Sequence, residues 1–187
     1  KKDLVFIGSG NYVSVVKNTS VPGNISFDPK VDYSTGSISQ PSSIHITDVD
    51  ADGKPDILVS NYGGQTVTLL KNNSLPNQIS FAERVDYALD GYGNDVDALD
   101  LDGDGKPDVA VANTLDGSIS VFHNQSTMGV FMFSQPITYK AFNRAASIAV
   151  GDIDNDGKQD LAVVNNNVYG SVSIFKNIST TGNISFA

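Results

Sequence analysis

Three copies of one acidic nine-residue string hold the side chains best spaced for chemistry in this chain. Asp48-Val49-Asp50-Ala51-Asp52-Gly53-Lys54-Pro55-Asp56 is followed by Asp100-Leu101-Asp102-Gly103-Asp104-Gly105-Lys106-Pro107-Asp108 and by Asp152-Ile153-Asp154-Asn155-Asp156-Gly157-Lys158-Gln159-Asp160, at intervals of 52 residues. Four carboxylates within nine residues repel one another unless a cation lies among them, and Ca²⁺ takes six to eight oxygen ligands from such a set. The expected ligands are side chains 1, 3 and 5 (Asp48, Asp50, Asp52; Asp100, Asp102, Asp104; Asp152, Asp154, Asp156). The carbonyl of position 7 (Lys54, Lys106, Lys158) and the carboxylate of position 9 (Asp56, Asp108, Asp160) complete the set. Gly53, Gly105 and Gly157 permit the reversal that brings the ninth residue back. An EF-hand needs an acid at position 12 and flanking helices; Val59, Val111 and Val163 stand there instead. Mg²⁺ fits less well, because it prefers six near-ideal ligands and keeps its waters. About three structural Ca²⁺ ions are expected.

The elements that must position these strings recur with them. Ser43-Ile44-His45-Ile46, Asp95-Val96-Asp97-Ala98 and Ser147-Ile148-Ala149-Val150 alternate with the period of a strand. Ile57-Leu58-Val59, Val109-Ala110-Val111 and Leu161-Ala162-Val163-Val164 follow each string as short apolar runs, suited to a strand buried on both faces. Thr66 to Leu70, Ser118 to Phe122 and Ser171 to Phe175 alternate again after Gly-containing turns. Gln78 to Phe81, Val130 to Phe133 and Asn183 to Phe186, with Val85-Asp86-Tyr87 and Ile137-Thr138-Tyr139 just beyond, are expected to form a fourth strand. Four antiparallel strands per 52-residue repeat describe an all-β protein built of β-propeller blades, since one twisted sheet cannot bury both faces until neighbours pack on it. A stack of sheets is the alternative. The expected blades are 1–42 (partial), 43–94, 95–146 and 147–187 (truncated at the fourth strand). They form one repeat domain of 15 strands, roughly 3.75 blades, opening at the last residue of an acidic string and stopping within a fourth strand.

The strings, the apolar strand after each, and turns such as Asn61-Tyr62-Gly63-Gly64 and Asn113-Thr114-Leu115-Asp116-Gly117 resemble the FG-GAP and VCBS-type repeats. That family builds the propeller of integrin α chains and of many secreted bacterial proteins, and the absence of the Phe-Gly and Gly-Ala-Pro signatures makes the bacterial branch the closer match. The resemblance covers essentially the whole chain. It implies a propeller, usually of seven blades, with Ca²⁺ in the hairpin between the first and second strands of each blade.

Composition fits this reading. The chain has 187 residues, 40% hydrophobic and 18% charged, with a formal net charge of −9. The strings hold 12 of its 21 acidic side chains, so three divalent ions would bring the charge to about −3. Nothing basic invites nucleic acid, no cysteine is present, and no apolar run approaches the roughly 20 residues that cross a bilayer. The start, Lys1-Lys2-Asp3-Leu4, lacks the apolar segment of a signal peptide. Weak calcium sites fill only where the ion is abundant, which places the protein outside the cell or on its surface.

Residues that break the repeat are candidates for recognition. Tyr62, Tyr92, Asn94, Phe142, Asn143, Arg144 and Tyr169 lie on connections expected at the end opposite the strings, where aromatic rings beside Asn and Arg suit a sugar or peptide. His45 and His123 are read as strand side chains. No nucleophile elbow is present, so the protein is expected not to be an enzyme. It is expected to act in adhesion or in binding an extracellular protein or carbohydrate, or to pack on neighbouring repeats of the same protein. The alternatives are the propeller domain of a secreted polysaccharide-degrading enzyme and a purely structural repeat. The Asn-x-Ser/Thr triplets at Asn18, Asn24, Asn72, Asn124, Asn177 and Asn183 recur at equivalent turns and are read as part of the repeat, not as glycan sites.

Overall fold

Runs of β-branched and aromatic residues bounded by Gly, Asn and Asp pair into hairpins throughout the chain. The computed structural model describes residues 1–187, with fourteen strands and no helix, arranged in four antiparallel sheets. Blade 1 comprises β1 (Leu4–Ile7), β2 (Tyr12–Val16) and β3 (Val31–Ser34). Blade 2 comprises β4 (Pro41–Thr47), β5 (Asp56–Asn61), β6 (Thr66–Leu70) and β7 (Val85–Ala88). Blade 3 repeats it with β8 (Gly93–Leu99), β9 (Asp108–Asn113), β10 (Ser118–Phe122) and β11 (Ile137–Lys140). Blade 4 holds β12 (Ala145–Gly151), β13 (Asp160–Asn165) and β14 (Ser171–Phe175). Within each sheet the strands follow chain order, as in propeller blades, and the four sheets do not close into a ring.

The fourth strand differs from expectation. It is Val31–Ser34, Val85–Ala88 and Ile137–Lys140, whereas Gln78 to Phe81 and its counterparts form a small hairpin before it, held by the bridges Asn72 to Phe81 and Leu75 to Gln78. Fourteen strands replace the expected fifteen because the Asn183 to Phe186 segment is such a hairpin. The cause is the Asn-x-Ser turn: Asn72 Oδ1 accepts from Ser74 N at 2.9 Å, and Ser74 Oγ accepts from Ser80 N at 3.0 Å. The chain is thereby folded back before it can run along β6.

Three cores fill the three interfaces between blades. Leu58, Val67 and Leu69 of blade 2 meet Val96, Val109, Val111 and Phe122 of blade 3. Ala110, Ala112, Ile119 and Val121 meet Ile148, Leu161 and Val163 in the same manner, and Val13 and Val15 meet Ile57, Val59 and Leu70. Alternate residues of each strand thus face opposite neighbours, which explains the continuous apolar runs. The displaced hairpins supply Phe81, Phe133 and Phe186, which pack edge-on against Tyr33, Tyr87 and Tyr139 of the preceding blade at 5.0, 5.2 and 5.2 Å. The first strands β4, β8 and β12 are tied side by side through Asp95, which accepts from Ser43 Oγ at 2.7 Å and from Ser147 Oγ at 2.7 Å.

Candidate metal centres and the opposite rim

Each acidic string is the hairpin between the first and second strands of its blade: 48–56 joins β4 to β5, and its two counterparts join β8 to β9 and β12 to β13. The turn is wound by two left-handed residues, at positions 4 (Ala51 φ 57°, Gly103 78°, Asn155 61°) and 6 (Gly53 85°, Gly105 86°, Gly157 87°). Only the second was legible as a glycine requirement. Asp48 accepts from Asp52 N at 3.1 Å and Gly53 N at 2.8 Å, and the other strings repeat this with Asp100 and Asp152. Asp56 accepts from Val49 N at 3.0 Å and Asn72 N at 2.8 Å, again as Asp108 and Asp160 do.

Positions 1, 3 and 9 converge. Oxygens of Asp48, Asp50 and Asp56 lie within 4.8 Å of one another, as do those of Asp100, Asp102 and Asp108 and those of Asp152, Asp154 and Asp160. In two strings one ammonium bridges positions 3 and 5. The Lys71 ammonium bridges Asp50 and Asp52, at 2.8 Å from Asp52, and Lys176 bridges Asp154 and Asp156, at 3.0 Å from Asp156. Lys54, Lys106 and Lys158 donate their backbone N–H to Asp52, Asp104 and Asp156. The donor set fits a metal ion, because Asp50 is buried while its Oδ1 has no hydrogen-bond partner. An unpaired buried carboxylate oxygen is costly unless a cation meets it.

The strings are also joints. Asp50 Oδ2 accepts from Gly129 N of blade 3 at 3.0 Å, and Asp102 Oδ2 from Gly182 N of blade 4 at 2.6 Å. Asn124 Nδ2 donates to Val49 O in the preceding string at 2.9 Å and to Pro107 O in its own at 2.8 Å. Asn177 does the same with Leu101 O and Gln159 O, both at 2.8 Å. Position 2 (Val49, Leu101) lies in the interface core. The third string differs in burial: Asp154 is exposed where Asp50 and Asp102 are buried.

This difference sets the electrostatics. Burial pushes Asp56 and Asp108 up to about 6, against the backbone N–H bonds that favour their charged forms. Asp160 has the equivalent donors, Asn177 and Ile153, and lies below the usual carboxylate range because those bonds outweigh burial. Hydrogen bonds to Lys71 and Lys176 hold Asp52 and Asp156 low. Burial works against the Lys71 ammonium, but its bonds to Asp50 and Asp52 prevail and raise it.

The other end of the sheets carries the turns Tyr62 to Gln65, Thr114 to Gly117 and Asn166 to Gly170 together with the connections between blades. Backbone bonds such as Thr114 N to Tyr92 O at 2.9 Å, Ala141 N to Gly117 O at 2.9 Å and Asn166 N to Arg144 O at 2.9 Å weave them into one rim. Tyr62 and Tyr92 are brought together, ring centroids 5.2 Å apart and half-buried. Phe142, Asn143, Arg144 and Tyr169 are exposed, Tyr169 at 96%. Asn94 is used differently: its Nδ2 donates to Ala146 O of blade 4 at 2.6 Å, so it ties blades together. His45 Nδ1 lies 3.0 Å from Asp97 Oδ1 on the neighbouring first strand. His123 falls just past β10, and its ring stands against the second string with Nε2 3.2 Å from Asp102 Oδ2. The cations at this position were missed, although Lys71, His123 and Lys176 recur at one place in the repeat.

The profile of the FG-GAP-like repeat matches residues 1–59, 48–111 and 100–163. The chain belongs to the FG-GAP-like repeat family. Each matched unit closes on an acidic string and the strand after it, so the family unit is offset from the blade and spans one joint. No curated protein matches the chain.

Proposed function

We propose that this FG-GAP-like chain is a non-catalytic, Ca²⁺-stabilised extracellular binding module. The observation that supports it most is the separation of duties between the two ends of the blades. The acidic strings bond to the next blade through Asp50 and Gly129, or Asn124 and Val49, and so serve cohesion. The opposite rim presents the side chains of Phe142, Arg144 and Tyr169 to solvent. An all-oxygen donor set of several carboxylates suits Ca²⁺ over softer ions. Asp48, Asp50 and Asp56, with the Lys54 carbonyl, would hold one ion, and the other two strings would hold one each. The ion supplies positive charge among carboxylates that otherwise repel. The chain's own residues fix the joint to the neighbouring blade.

The exposed rim is suited to a carbohydrate or a protein surface, since Tyr169 and Phe142 offer ring faces and Arg144 offers planar donors. A calorimetric Ca²⁺ titration of the chelator-treated protein should show about three ions and a large rise in melting temperature. Glycan and protein arrays probed with wild type and with Phe142→Ala/Tyr169→Ala should then show signals lost only in the double variant. Absence of stabilisation by Ca²⁺ would refute the metal reading, and array signals unchanged by the double variant would refute the rim reading.

A further inference from the structure

Every interface between blades joins the same two unlike faces. Alternate residues of one blade's third strand form a leading face, and alternate residues of the next blade's second strand form the trailing face that covers it. Val67 and Leu69 meet Val109 and Val111 in this way, and Ile119 and Val121 meet Leu161 and Val163, all of them at most 1% exposed. One face of each kind also stands open to solvent. Val172 and Ile174, the blade 4 counterparts of Ile119 and Val121, are 59% and 53% exposed. Val164, paired with Val172, and Ile153 at position 2 of the string are exposed with them. On blade 1, Leu4 and Phe6 stand where Val109 and Val111 stand, and they are 50% and 42% exposed. Phe27, the counterpart of the buried Phe133, is exposed beside them. Clustered apolar groups left this open mark an interaction surface.

We propose that a second copy of this chain docks head to tail, its blade 1 face of Leu4, Phe6 and Phe27 covering the first copy's blade 4 face of Ile153, Val164, Val172 and Ile174. Three times within the chain a leading face is covered by the trailing face of the next repeat, so blade 1 of another copy is the partner whose apolar pattern the open face of blade 4 already matches. The polar part of the joint matches as well. Gly129 and Gly182, at φ 86° and 80°, donate their N–H to Asp50 and Asp102 of the preceding blade, and Gly23 holds the same turn at φ 84°. In the docked pair Gly23 N donates to the first copy's exposed Asp154. The contact is heterologous, since unlike surfaces meet, and each copy can use both of its faces.

Sedimentation equilibrium of the whole chain in millimolar Ca²⁺ should show a mass that rises above 19.8 kDa with concentration. Val172→Lys/Ile174→Lys blocks the blade 4 face and Leu4→Lys/Phe6→Lys blocks the blade 1 face. Each change replaces an exposed side chain, so circular dichroism should show the fold kept, and each variant alone should remain a monomer. Ile153→Lys/Val164→Lys is a second, independent block of the blade 4 face and should behave in the same way. A blade 4 variant mixed with the blade 1 variant should form a one-to-one pair through the two faces left intact, and nothing larger. Wild type that stays monomeric up to high micromolar concentration, a folded single-face variant that still self-associates, or a mixture that does not pair would each overturn the proposal.

Discussion

Asn124 and Asn72 occupy the same place in successive repeats, yet they carry different loads. Both accept from a serine N–H at 2.9 Å and donate Nδ2 to the carbonyl before their own string's ninth residue at 2.8 Å. Only Asn124 also reaches the preceding blade's string, at Val49 O, and Asn124 is buried. Replacing Asn124 by Ala removes three hydrogen bonds, each worth about 1 kcal/mol net, and strands buried carbonyls that cost roughly 1 to 3 kcal/mol each unless water enters. The expected loss is about 4 kcal/mol. Asn72→Ala removes two bonds at a partly exposed site, for about 1.5 kcal/mol. A protein of this size loses roughly 2 to 4 °C of melting temperature per kcal/mol, so the variants should melt about 12 °C and about 4 °C below wild type. Urea and thermal unfolding at fixed Ca²⁺ would measure both. Equal losses, or less than about 1 kcal/mol for Asn124→Ala, would refute the view that the interblade bond carries the difference.

Other expectations concern single residues and pH. Ala51 holds a left-handed φ of 57° where its counterparts are Gly103 and Asn155, so Ala51→Gly should stabilise by about 1 kcal/mol in chemical denaturation. Asp56 and Asp108, raised to about 6 from 3.8, favour the metal-free fold most below pH 3.8, and that contribution is lost as pH rises through 6. Metal binding runs the opposite way, because the carboxylates must ionise. Between pH 7 and pH 5 the first two strings should weaken roughly tenfold while the third, with Asp160 lowered, persists; calorimetry showing uniform weakening would contradict this. In a eukaryotic secretion host, peptide mapping of folded protein should find no glycan on the buried Asn124 or Asn177.

Legibility in the sequence followed the range of the interactions. Strings, first, second and third strands were readable because period and turn chemistry are local. The fourth strand was misplaced because Ile79-Ser80-Phe81 has strand-like composition but is bent off the sheet by Asn72, Ser74 and Ser80. Convergence of positions 1, 3 and 9 was expected from spacing, together with position 5, whereas Lys71 and Lys176 recur at one place in the repeat but meet positions 3 and 5 only because folding returns the chain there 19 to 22 residues on. Asn94 looked free for recognition because its partner, Ala146 O, lies one full repeat further on.

The donors that Gly129 and Gly182 extend to Asp50 and Asp102 arrive from 79 and 80 residues downstream, so each string is finished only after the next blade is in place. Blades joined in this manner act as a zip: a tooth locks when its successor engages. Under tension or calcium withdrawal, releasing Gly129 from Asp50 or Gly182 from Asp102 would loosen a metal loop and a neighbouring blade together, so each joint should open as a unit.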